Sequence, residues 1–242
     1  MKYCSIIITH YSQPDDFGGK RAGTIADQRS AMMKQCIESL KSNTDFPAEV
    51  IVIDNGGDKD DSDWLLQKVR EGVINTYVRN KNNMHFGWAR NQGIRLATSD
   101  YICISDNDIL FKKNWLSKTI EPLLKWPDKR FIASPFITPD KTKFKNPRGN
   151  FHEYRLNSMA GSNCMIMTKK IYWEVRPFTT HHITGSHWHR RMVKAGYLVI
   201  VPPEDYVEHL AFRHGYTLRA KIKVKEDLLT GGEADFTFPY VK

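Results

Sequence analysis

"YICISDNDIL", residues 101–110, decides the fold. It opens as an apolar, β-prone run suited to the middle of a sheet, then delivers Asp106, Asn107 and Asp108 with no turn residue between. An unpaired buried carboxylate is costly, so two of them at a strand end must be solvated, hydrogen-bonded or neutralised by a cation.

The flanking sequence repeats the motif of a strand that ends on polar residues. "YCSIIITH" (3–10), "EVIVID" (49–54) and "INTYVRN" (74–80) read as strands. Helical spacing lies between them. Met33, Ile37 and Leu40 share a face over about 26–41, and Trp64, Leu65 and Val69 follow a cap at Asp61 or Ser62. Ala89, Gly93, Leu96 and Ala97 recur within 87–100. Strands alternating with helices predict βαβ units on a mainly parallel sheet.

Downstream, "NWLSKTIEPLLKW" (114–126) predicts a helix broken or kinked at Pro122, and "RFIASPFI" (130–137) and "SNCMIMT" (162–168) predict strands. A short helix around Tyr172 follows, then a helix over about 186–195 closed by Gly196, and the strand "YLVIV". The tail from Thr217 reads as a helix and an extended end, and "GGEAD" as a turn. No linker separates independent domains, so the expectation is a single α/β domain over 1–242: a ligand-binding half to 110, a second half over 111–212, and a tail over 213–242.

Thr9 and His10, Asp54 and Asn55, and Asp106 to Asp108 thus close three strands of the first half. In an open parallel sheet, ligands bind outside the carboxyl ends of the strands, which gathers these residues on one edge. For Asp54 alone, a strand ending on an ordinary turn former is the plainer reading. Residues two apart at a strand end face the same way, so Asp106 and Asp108 can address one site. Mg²⁺ or Mn²⁺ is held by one or two such carboxylates plus diphosphate oxygens, and would neutralise a diphosphate leaving group.

The chain carries no G-x-G-x-x-G after the first strand, no G-x-x-x-x-G-K-[ST] and no G-x-S-x-G, which argues against a dinucleotide dehydrogenase, a P-loop NTPase and an α/β-hydrolase. Lysine plus arginine exceed aspartate plus glutamate by 36 to 27, a formal charge of +9, which suits an anionic partner or simply a solvated basic surface. The basic residues cluster only in "KTKFKNPR" (141–148) and "RAKIKVK" (219–225). Cys4, Cys36, Cys103 and Cys164 have no C-x-x-C spacing and predict reduced, buried thiols. With no signal-like N-terminus and no apolar run near the ~18 residues a membrane span needs, the expectation is a soluble, cytoplasmic protein.

Six blocks, in order, carry a resemblance: "SIIITHYSQ", "QCIESLKSNT", "EVIVIDNGGD", "NNMHFGWARNQGIRLATSDYICISDNDIL", "AGSNCMIMTKKIYWEVRPF" and "MVKAGYLVIVPPEDYVEHL". Over about residues 3–210 the chain resembles a family 2-type glycosyltransferase with the GT-A fold. The resemblance implies a metal-dependent transfer of a sugar from a nucleoside-diphosphate sugar, typically a UDP-sugar, to an acceptor hydroxyl. Thr9 and Tyr11 would lie beside the nucleotide, Asp54 would hydrogen-bond the base, and Arg90 and Asn91 would line the nucleotide pocket. Asp106 would reach the ribose or the metal, Asp108 would bind the metal, and His209 would complete its site; Gly161 and Trp188 would contact the acceptor. A lone tryptophan on an amphipathic helix is, however, more often core than contact.

One departure stands out. Such enzymes usually carry an Asp before the helix that ends in "AGY", as general base in inverting members, and here the stretch reads "ITGSHWHRR". Thr184, Gly185 and Ser186 bear no carboxylate. His187 is the nearest candidate base, a histidine being suited to the task by its pKa of ~6.5. A retaining member needing no base, or a nucleotide-sugar-binding module without turnover, are the other readings. His187 and His189 are two apart on a helix and would not share a metal. The 12–25 insertion would form a lid or acceptor contact. The acceptor would be a glycan, a lipid-linked precursor or, given the charge, nucleic acid.

Overall fold

The computed structural model describes residues 2–12, 22–135, 147–158, 163–179 and 184–210, the side chains of 22–28, 147 and 184–186 excepted. The expected tail, "KTKFK" within the first basic stretch, "RAKIKVK", Gly161 and most of the 12–25 insertion lie outside these residues.

In chain order the elements are β1 (Cys4–His10), α1 (Ala22–Asn43), β2 (Ala48–Asp54), α2 (Lys59–Arg70), β3 (Thr76–Arg79), α3 (Phe86–Leu96), β4 (Tyr101–Asp106) and β5 (Ile109–Phe111). Then come α4 (Trp115–Lys125), β6 (Phe131–Ala133), β7 (Pro147–Phe151), β8 (Tyr154–Asn157), β9 (Cys164–Thr168), α5 (Lys169–Val175), α6 (Thr184–Lys194), β10 (Leu198–Val201) and β11 (Val207–His209). Among the described residues nine strands form one sheet in the order β3-β2-β1-β4-β9-β6-β10-β8-β7, and β11 pairs with β5 in a second.

The first half is the parallel array expected from alternating strands and helices. β1 lies between β2 and β4, with His10 opposite Asp54 and Thr9 opposite Asp106. β1 and β4 are nearly continuous apolar runs because helices cover both faces of the sheet. On one face α3, α5 and α6 bury Ala89, Ile94, Tyr172, Trp188 and Met192 against Ile7, Ile53, Ile102 and Met165. α1 buries Met33, Cys36, Ile37 and Leu40. All four cysteines are free and buried.

Three expectations are corrected. The 101–110 stretch is two strands, since Asn107 and Asp108 turn the chain between β4 and β5. α4 is not broken at Pro122 but runs on to Lys125; its buried face (Leu116, Ile120, Leu123) and the Trp126 N–H bond to the Pro122 carbonyl hold it past the missing donor. α2 is capped by Asp58, whose carboxylate accepts from the Asp61 N–H, so the helix starts earlier than the Asp61 or Ser62 cap predicted. The β7–β8 hairpin was not predicted, because "FHEYRLNS" shows no clean alternation. Among the described residues no helix is long and apolar enough to cross a membrane.

Gly93 sets how closely α3 approaches the sheet. A Cβ there would lie 2.3 Å from Ile7 Cγ2 and 3.3 Å from Ile53 Cγ1. Ile7 is fully buried on a central strand and has nowhere to move. Gly93→Ala is therefore expected to destabilise by about 1–2 kcal/mol, the overpacking cost exceeding the ~1 kcal/mol that alanine gains in a helix. Chemical denaturation measures this, and a neutral or stabilising result would show that α3 can back away.

Candidate active site

The ends of β1, β2 and β4 converge as the sheet register requires, and β11 adds a fourth contributor from far along the chain. Asp106 closes β4, and its N–H donates to the Asn163 carbonyl at the start of the neighbouring antiparallel strand (2.7 Å). Asp108 follows in the turn. Its own carbonyl accepts from the Leu210 N–H (2.8 Å), and β11 sets His209 opposite Ile109. Candidate ligand atoms of Asp106, Asp108 and His209 lie within 4.8 Å of one another, with His209 Nδ1 3.6 Å from Asp108 Oδ2. The convergence therefore comes from the turn and the β5–β11 pair, not from alternation along one strand.

The electrostatics suit a hard dication. Burial, and then the neighbouring Asp106 carboxylate, push the Asp108 carboxyl up. Asp108 Oδ1 is buried and accepts no hydrogen bond among the described residues. Burial pulls His209 down, against the opposing pull of Asp106, so its imidazole is held neutral with a lone pair to offer. Two carboxylates, one with an orphaned buried oxygen, and a neutral imidazole form a set that Mn²⁺ or Mg²⁺ would satisfy.

Arg90 Nη2 lies 2.5 Å from Asp106 Oδ1. Its guanidinium is fully buried, with its centre 3.5 Å from the Phe86 ring centroid and 5.5 Å from that of Phe178. Arg90 thus touches the carboxylate turn through Asp106. Thr9 is buried at the end of β1, and Tyr11, just beyond it, is half-buried.

Asp54 is completely buried and strongly engaged by the chain itself. It accepts from the Gly57 N–H (2.6 Å), Ser62 Oγ (2.5 Å) and Tyr77 OH (2.7 Å), with Arg79 Nε at 3.5 Å. Burial, followed by this carboxylate, pushes the Tyr77 phenol up. A base contact would have to use the lone pair that remains.

Two of the expected site residues are buried and engaged by the chain itself. Asn91 is spent on internal structure: its Nδ2 donates to the Phe178 carbonyl (2.9 Å), and its Oδ1 accepts from the Phe178 N–H (3.1 Å) and from Tyr172 OH. It clamps α3 to the segment after α5, because a side-chain amide can pair with both polar groups of one backbone residue. Trp188 is fully buried and tilted against Phe178, with Nε1 donating to the Arg176 carbonyl (3.1 Å). His187 is exposed on α6 and His189 is buried, as their spacing implies. Neither belongs to the Asp106–Asp108–His209 group.

Sequence reasoning missed the partners of these residues. Buried Asp61 and His10 and half-buried Asn107 form a chain ending beside the two carboxylates. Asp61 reads locally as a helix cap, and only the register of β1 against β4 reveals its use.

Comparison with known proteins agrees with this geometry. The model of glycosyl transferase family 2 matches residues 25–193. A putative polypeptide N-acetylgalactosaminyltransferase 13 of Drosophila melanogaster is 27% identical over 136 residues, 51% of this chain and 24% of its own length. The hyaluronan synthase of Pasteurella multocida is 33% identical over 107 residues, 41% of this chain and 11% of its own. The chain thus spans a quarter or less of these curated relatives. Among solved structures, the mannosyltransferase PcManGT of Pyrobaculum calidifontis, in complex with GDP-Man and Mn²⁺, superposes with a TM-score of 0.64 at 16% identity, covering 96% of this chain and 65% of that one. GalNAc-T7 with UDP, GalNAc and Mn²⁺ gives 0.60 at 14% identity, covering 86% of this chain and 44% of that one. At such identities these two show the fold, which is GT-A.

Proposed function

This chain belongs to glycosyl transferase family 2, and from that membership we propose that it moves a sugar from a nucleoside-diphosphate sugar, a UDP-sugar in the first instance, to an acceptor hydroxyl. The observation that carries the reading is the meeting of Asp106, Asp108 and His209 at the carboxyl ends of the parallel strands. The two solved structures hold UDP or GDP-Man with Mn²⁺, which supports a nucleotide donor and Mn²⁺ here and makes GDP-mannose the second donor to try.

In this reading Asp106, Asp108 and His209 hold the cation, which when bound supplies positive charge against the departing diphosphate. Arg90 keeps Asp106 in place. In transfer, the acceptor oxygen forms the new bond to the anomeric carbon as the bond to the diphosphate oxygen breaks, and the acceptor proton passes to a base. No carboxylate stands in the 184–187 stretch, so His187, the exposed imidazole on α6, is the proposed base. Gly161 remains proposed at the acceptor side.

UDP and GDP release from a panel of nucleotide sugars with Mn²⁺ tests the reading. Slow donor hydrolysis without acceptor supports an enzyme. Normal donor binding with no release from any donor would leave the competing reading, a nucleotide-sugar-binding module, which the missing carboxylate favours. His187→Ala is expected to lower kcat for transfer by about 100-fold and to remove the lower limb of its pH profile, leaving Mn²⁺ binding unchanged. An unaltered pH profile would strike His187 from the mechanism. The +9 charge favours anionic acceptors, nucleic acid included. Salt-sensitive binding of DNA or RNA supports that version, and no binding at low salt removes it.

A further inference from the structure

The central residue of the carboxylate turn is held by a chain of side chains that the proposed chemistry does not use. His10 is fully buried at the end of β1, with Nε2 2.9 Å from Asp61 Oδ2 and Nδ1 2.8 Å from Asn107 Nδ2. The donors can be assigned from chemistry. An amide nitrogen can only donate, so Nδ1 accepts from Asn107, and Nε2 donates to Asp61.

Asp61 is built to hold this role. Its Oδ1 accepts from Ser30 Oγ (2.5 Å) and lies 3.7 Å from Lys34 Nζ, and its N–H donates to Asp58 Oδ1 (2.8 Å). Burial would raise its carboxyl, but hydrogen bonds from His10, Ser30 and Ser12 outweigh that and hold it at about 2. At the other end, Asn107 stands between Asp106 and Asp108, and no donor among the described residues reaches its Oδ1.

We propose that His10, oriented by Asp61, is a positioning residue for the cation turn: by fixing the Asn107 amide it sets the spacing of the Asp106 and Asp108 carboxylates. The proposal rests on the reading of that turn as a divalent-cation site. Partners one shell out from a metal's ligands commonly tune affinity by 10–100-fold, and here the partner lies on a different strand from the ligands it serves.

The test uses Mn²⁺ alone, titrated into the full chain and followed by electron paramagnetic resonance of the free ion, with melting temperatures measured alongside. Asn107→Ala and His10→Phe are each expected to weaken Mn²⁺ binding by about 10–100-fold. The double variant should be no weaker than the worse single one, because the same hydrogen bond is lost in each. Asn107→Ala, in a half-buried turn, answers the question even if His10→Phe folds poorly. Asp108→Asn supplies the separate control. If it abolishes binding while the His10 and Asn107 variants bind as wild type, the positioning role is overturned and the cation site stands. If wild type binds no Mn²⁺, or Asp108→Asn binds normally, the cation reading falls and this proposal with it. Nitrogen-15 spectra of the metal-free protein should show His10 protonated on Nε2 alone, and a proton on Nδ1 overturns the assignment.

Discussion

Asp108→Asn is expected to lower nucleotide release from the donor by about 10³-fold while leaving the protein as stable as before, or slightly more so. The activity loss follows from charge. Of the three groups that meet at the strand ends, Asp108 has a buried oxygen with no donor, and it is the one a cation would compensate most directly. Charge stabilisation of a departing diphosphate is worth several kcal/mol, and ~4 kcal/mol corresponds to about 10³ in rate. The stability follows from the same electrostatics with the opposite sign. Burial and Asp106 raise the folded-state carboxyl above its unfolded value, so the ionised form is disfavoured in the fold and its cost grows as pH rises through that range. Asparagine removes that cost at neutral pH and keeps the shape. Assays of UDP and GDP release with varied Mn²⁺, run beside thermal melts, separate the two effects. Wild-type turnover in the variant would sink the assignment of Asp108; lost turnover together with a large fall in melting temperature would show a structural role instead.

Trp188→Ala is expected to cost about 3–5 kcal/mol of stability, the range for deleting a fully buried large aromatic, and to lower the melting temperature by roughly 6–20 °C. The site shows why the loss should sit at the upper end. The irregular segment after α5 is pinned by three side chains on consecutive carbonyls: Trp188 Nε1 on Arg176, Arg191 Nη2 on Pro177 (2.8 Å) and Asn91 Nδ2 on Phe178. Arg176 itself sits at φ +73°, a conformation a non-glycine residue holds only when its surroundings enforce it. Removing Trp188 takes away both the ring packed on Phe178 and the donor to that strained residue. Trp188→Phe keeps most of the volume and leaves one carbonyl unpaired, so about 1–3 kcal/mol is expected. Because Phe178 lies beside Arg90, and Arg90 holds Asp106, the alanine variant should also weaken Mn²⁺ binding. A variant with unchanged stability and a raised KM for acceptor alone would restore Trp188 to the acceptor-contact role that its burial argues against.

The strands of the first half were legible because their signal is local. Each is an apolar run ended by polar residues, and β1, β2 and β4 form in place with those ends in register. Gly93 was visible only as one position in a helical pattern; that it allows α3 to touch Ile7 depends on the packed sheet. The β7–β8 hairpin went unseen, since its residues alternate poorly and it forms by pairing against β10. The internal ties of Asn91 and Trp188 were hidden in the sequence for a common reason. A polar or aromatic side chain near a ligand site and one that ties together distant backbone look alike in a linear chain, and burial alone tells them apart.

By itself the sequence determined the mainly parallel α/β array of the first half, the gathering of its strand ends on one edge, and the presence of two carboxylates there, because periodicity and strand-end polarity are carried by neighbours along the chain. The family resemblance implied that His209 joins Asp108, but only the tertiary structure decided that Asp108 stands in a turn, that the β5–β11 pair brings His209 to it, and that Asp61, His10 and Asn107 meet. These are meetings between residues some 50 to 100 positions apart, and no local pattern encodes them. They are set by strand register and by which buried polar group must find a partner once water is excluded.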